Sequence, residues 1–79
     1  GSRATALLYF ERAIEIAGDQ SPGPWVAKAE SIALAAGDRE NFEKLLQRAI
    51  AIASHTPTLQ NEAMLARARW LLANIDELF

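Results

Sequence analysis

One eight-residue segment occurs twice in the chain, and that repetition limits the possible folds more than any other feature. Phe10 to Ala17 reads FERAIEIA and Leu46 to Ala53 reads LQRAIAIA, sharing Arg12/Arg48, Ala13/Ala49, Ile14/Ile50, Ile16/Ile52 and Ala17/Ala53. Ala13 and Ala49 stand 36 positions apart, within the roughly 33 to 47 residues over which helix-hairpin repeats recur. A chain built this way stacks small helical units, each burying its apolar face against the next.

Punctuation around the two copies predicts four helices, over about 3–17, 24–36, 39–54 and 58–77. Gly18 and Asp19 stop the first, because glycine takes the left-handed closing conformation without a Cβ penalty. Ser21, Pro22, Gly23 and Pro24 break the chain before the second, and a proline fits in the first turn of the helix that follows. Gly37 ends that helix, and Asp38 caps the third. Thr56, Pro57 and Thr58 make the last turn, with Thr58 or Thr56 as the cap of the fourth helix. Alternating apolar and polar residues are absent and β-branched residues are scattered, so no strand is expected. The fold class is all-α.

With 79 residues the chain has room for one domain only. A hydrophobic share of 51% argues against disorder. The net charge of −2 provides no basic field for phosphates, so nucleic acid and anionic membrane surfaces are not expected as partners. Cysteine is absent, which removes disulfides and thiolate metal ligands. No apolar run approaches the roughly 20 residues of a membrane-spanning helix. Gly1 and Ser2 have the character of an expression scar, which places the repeat array over residues 3–79.

Apolar residues recur at spacings of three and four in each helix, lining one face. Helix one carries Ala6, Phe10, Ala13 and Ala17, and helix two an alanine-rich row of Ala29, Ile32, Ala33 and Ala36. Helix three carries Phe42, Leu45, Leu46, Ala49, Ile50 and Ala53. Helix four is apolar around most of its circumference, through Met64, Leu65, Ala68, Leu71, Leu72, Ile75, Leu78 and Phe79, and helix one has a similar excess at Leu7, Leu8 and Tyr9. A helix apolar on two sides is packed on two sides. Their missing neighbours are expected outside this stretch of sequence, and the isolated chain is expected to self-associate.

Ala6, Phe10 and Ala13 match the alanine, aromatic, alanine series of the second helix of a tetratricopeptide (TPR) hairpin, and Gly37-Asp38 matches the turn within the hairpin. Phe42 and Leu46 depart from that series in the second copy. Glu30 departs from the small residue usual in a first helix. In this register the chain comprises the second helix of one unit, one full unit and a final helix. More narrowly, the run from Tyr9 to Ala53, with RARWLLANIDELF at Arg67 to Phe79, resembles the C-terminal part of the TatT family, the T-components associated with TRAP transporters. That resemblance implies an oligomeric, periplasmic, lipid-anchored protein that partners a solute-binding protein.

Residues able to carry chemistry are few. His55 is the only histidine and falls at a helix end, with no second ligand or nucleophile to complete a site. The pairs Glu11/Glu15, Glu40/Glu43 and Asp76/Glu77 read as solvated helix faces, and Glu40 stands one turn from Lys44 as an ion pair. No catalytic residue, metal or cofactor is expected. First helices of stacked hairpins line a concave groove, here built of Ala27, Ser31, Leu34 and Ala35, then Gln60, Ala63, Arg67 and Trp70. Ser31, Leu34, Gln60, Arg67 and Trp70 are the candidate partner-binding residues, although a tryptophan at helical spacing is ordinarily core. Trp25 is expected to pin its loop to helix two. A non-catalytic scaffold that partners a periplasmic solute-binding protein is the leading expectation. A cytoplasmic TPR adaptor holding an extended peptide in its groove is the alternative.

Overall fold

The computed structural model describes residues 2–17 and 21–79. Its helices are α1 (Ser2–Ala17), α2 (Gly23–Lys28), α3 (Arg39–His55), α4 (Leu59–Ala73) and the short α5 (Ile75–Leu78), with no strand among the described residues. The Gly18-Asp19 stop expected for helix one lies outside the described residues. Two of the expected helices depart from regular α geometry before their expected ends, each at a local feature. α2 passes into a π-helical segment, Ala29–Ala33, marked by the Leu34 N–H donating to the Ala29 carbonyl at 2.9 Å. The helical path then continues to the expected end, the Ala36 N–H donating to the Ile32 carbonyl at 3.0 Å. Helix four breaks at Asn74, whose side-chain Nδ2 donates to the Trp70 carbonyl at 2.8 Å beside its own backbone N–H. The last residues then form a separate turn.

The remaining boundaries follow the chain chemistry. Gly37 takes φ 68°, the left-handed region that glycine tolerates best. Its N–H donates to the Leu34 carbonyl and that of Asp38 to the Ala33 carbonyl, the paired bonds of a Schellman ending. The Asp38 carboxylate then accepts from the Asn41 N–H at 3.1 Å and caps α3. Thr58, not Thr56, caps α4 by accepting from the Asn61 N–H at 3.1 Å. The Asn61 side chain reaches back and donates to the Thr56 carbonyl at 2.7 Å, and is itself buried.

α3 is the axis of the core. Phe42, Leu45, Leu46 and Ala49 pack against Val26, Ala29 and Ala33 on one side and Ala68 and Leu71 on the other. The alanines let α2 and α4 approach α3 closely, so the core is dense without many large side chains. α1 lies on the α2 side, and α2 also meets α4. The helices form a slab of 34 × 30 × 16 Å. A slab one hairpin deep leaves its two end helices, α1 and α4, each open on one side. Arg39 ties the start of α3 to Asp76 of α5 and to Glu43. Its hydrogen bond to Asp76 is the main cause that holds the guanidinium pKa above its ordinary value. A raised cation favours folding at every pH where the unfolded group is also protonated, and loses that effect only in strong alkali.

Candidate partner-binding face

The groove expected between α2 and α4 is organised by one arginine. Arg67, midway along α4, reaches across to the π segment that continues α2, where its Nη2 donates to Glu30 Oε1. Its guanidinium also lies 5.3 Å from the centroid of the Trp70 ring. The three-residue spacing of Arg67 and Trp70 puts both on one helix face, and the planar cation stacks on the indole. Arg67 and Glu30 are both partly exposed, so solvent limits the pair to about 1 kcal/mol at most. Trp70 is 52% exposed. A tryptophan at that spacing is ordinarily core, but here the candidate partner-binding residue is open to solvent: Ala68 and Leu71 turn inward from α4, and Trp70 points away from them.

The other candidates divide. Ser31 is exposed next to Glu30, and Gln60 is exposed in the first turn of α4, about 10 Å along the axis from Arg67. Leu34 is only partly exposed, because it packs against the core cluster from the turn that follows the π segment. Arg67 and Trp70 thus come together beside Glu30 and Ser31, with Gln60 at the far end and Leu34 withdrawn. Glu30 is the member that the sequence reading missed. Its signal was available: Glu30 and Arg67 are 37 positions apart, close to one repeat period, so they sit side by side on neighbouring helices.

Trp25 packs against the core cluster, and the Arg48 guanidinium lies 5.7 Å from its ring centroid. Pro22, fully buried, anchors the loop before α2. The Trp25 Nε1 is buried and has no acceptor among the described residues. His55 ends α3, exposed beside a shallow hollow lined by Arg48, Ala51 and Ile52. No cluster of three or more potential metal ligands exists among the described residues. Glu40 and Lys44 form the expected ion pair at 3.2 Å. No helix among the described residues is long and apolar enough to cross a membrane.

The family model described as TAtT, TRAP transporter T-component, matches residues 1–79. The chain belongs to the TRAP transporter T-component family. Membership associates it with TRAP transporters, and the family is a transporter-associated one rather than a known enzyme family. No curated protein and no solved structure matches the chain. The all-α architecture of this T-component thus rests on its own helices, and its association with TRAP transporters on the family.

Proposed function

We propose that this T-component is a non-catalytic protein-interaction scaffold of the periplasm, which assembles with copies of itself and partners the solute-binding protein of a TRAP transporter. The observation that carries the reading is the Arg67–Trp70 pair on the open side of α4. A half-exposed tryptophan stacked by an arginine combines the two side chains that most often anchor protein interfaces. The pair rests on rigid helices, so little ordering is needed on binding. Glu30 holds the Arg67 head in place, and Ser31 and Gln60 supply polar contacts at the margin of the same face. Family membership supports a partner drawn from the transport system.

The test is capture of the cognate solute-binding protein by wild type, Arg67→Ala and Trp70→Ala. Both side chains are largely exposed, so neither change is expected to unfold the chain, which thermal melts verify. Each is expected to weaken capture at least tenfold, about 1.4 kcal/mol. Undiminished capture by both variants would refute this face as the binding surface.

A further inference from the structure

The π segment lies on a helix with neighbours on every side but one: α2 and its continuation meet α1, α3 and α4. Within it the Leu34 N–H bonds the Ala29 carbonyl five residues back, where a regular α-helix bonds four back. Beyond it the Ala36 N–H goes to the carbonyl of Ile32, that of Gly37 to Leu34 and that of Asp38 to Ala33. Only the Ala35 N–H then remains for two carbonyls, those of Glu30 and Ser31, so at least one of them has no helical donor. A helical carbonyl points along the axis toward the residue four ahead. The Ser31 carbonyl thus lies between the side chains of Ser31 and Ala35, and both are exposed.

Both ends of the segment are held, so the wide turn cannot relax by unwinding. Ala29 is fully buried in the core cluster, and Gly37, at φ 68°, closes the helix into the Asp38 cap. In a regular helix Leu34 would stand about 140° round the axis from Ala29. The wide turn instead brings Leu34 onto the core side beside Ala33, which is 1% exposed. One residue more than an α-helix needs is therefore accommodated there, at the cost of an unpaired carbonyl. That carbonyl adjoins Glu30, whose carboxylate holds Arg67. Turns of this kind are frequent at functional sites.

We propose that the π turn is an acceptor site for the protein partner, its released carbonyl at Glu30–Ser31 taking a backbone N–H of an extended partner segment while Arg67 takes an oxygen of that segment. Each peptide unit of an extended chain offers one N–H and one C=O, which matches an acceptor and a cation side by side. A regular helix pairs its interior carbonyls and offers no such acceptor. This inference rests on the partner-binding reading above and adds the chemistry of the bound segment.

The test compares wild type, a deletion of Ile32, and Ile32→Ala. Deleting Ile32 puts Ala33 and Leu34 third and fourth after Ala29, positions that share a helix face, so the core contacts are expected to remain. The N–H groups of Ala35 and Ala36 then fall four residues after Glu30 and Ser31, and both carbonyls are paired. Glu30 precedes the deletion and is expected to keep Arg67. Ile32→Ala removes the same half-buried side chain but keeps the residue count and with it the π turn. Circular dichroism melts check that each variant folds. In calorimetric titration with the solute-binding protein, the deletion is expected to bind roughly two- to tenfold more weakly than wild type, the worth of one neutral hydrogen bond. Ile32→Ala is expected to bind as wild type does. Undiminished binding by the deletion, or an equal loss in Ile32→Ala, would overturn the proposal. A second readout needs no variant: in isotope-labelled wild type the carbonyl carbon resonance of Glu30 or Ser31 is expected to shift at saturation with the partner. If neither shifts, the proposal is overturned whether or not the deletion folds. Wild type that binds without these effects leaves the scaffold reading standing and refutes this inference alone, whereas wild type that does not bind refutes both.

Discussion

Asn61 does two things at the start of α4, and neither is visible from its residue type. Its backbone N–H fills the Thr58 cap, and its side-chain amide satisfies the Thr56 carbonyl in the preceding turn. The side chain is 7% exposed, so water cannot easily replace the lost donor. Asn61→Ala should therefore cost about 1–3 kcal/mol, the penalty of leaving a part-buried carbonyl unpaired. Urea denaturation gives this directly as a lower midpoint with an unchanged slope. Asn61→Asp tests the cause: it keeps the size but presents acceptors to a carbonyl, and should be no better than alanine. A cost below about 0.5 kcal/mol for the alanine variant, the scale of an ordinary surface change, would show that the amide bond contributes little.

At the scale of elements, α3 is the helix whose loss the fold cannot survive. Phe42 is completely buried between the flanking helices and meets the Phe79 ring edge-on, with centroids 5.1 Å apart at 70°. Phe42→Ala should cost about 3–5 kcal/mol. A chain of this length has only about 4–12 kcal/mol in total, so the variant should melt roughly 12–40 °C lower in a calorimetric scan. Leu59→Ala, exposed in the first turn of α4, should leave the monomer melting point nearly unchanged. Helix positions were legible in the sequence wherever a local device sets them: Gly37 as a stop, Asp38 and Thr58 as caps, and the repeated face of α1 and α3. The π segment was not, because AKAESIALAA reads as uninterrupted helix and the distortion has no local signature. The break at Asn74 depends on an amide turning onto Trp70, again a choice among several open to the side chain.

Across the whole molecule, the groove is where pattern and position part company. Register alone brought Arg67, Trp70, Ser31 and Gln60 to the α2–α4 side, with Leu34 partly covered by the core cluster. Which tryptophan is covered depends on which helices have neighbours: Trp25 sits between α2 and α3, whereas Trp70 lies on an end helix. The same geometry gives Glu30 its meaning. A carboxylate at that point of α2 departs from the small residue of the TPR pattern, and it is matched by Arg67 one repeat later. In the unbound chain Arg67 thus already has an anionic partner, so any carboxylate on an incoming protein competes with Glu30. Replacing that charge while keeping the shape, as in Glu30→Gln, frees the guanidinium without moving the helix. The exposed pair contributes at most about 1 kcal/mol to stability, so the loss to folding is small. Binding of the solute-binding protein is expected to strengthen by up to about fivefold, the same energy appearing as affinity. Calorimetric titration of wild type, Glu30→Gln and Glu30→Gln combined with Arg67→Ala separates the cases. The gain should vanish in the double variant, since it acts only through Arg67. Weaker binding by Glu30→Gln alone would mean that Glu30 itself contacts the partner, and Arg67 would then be a positioning residue for it.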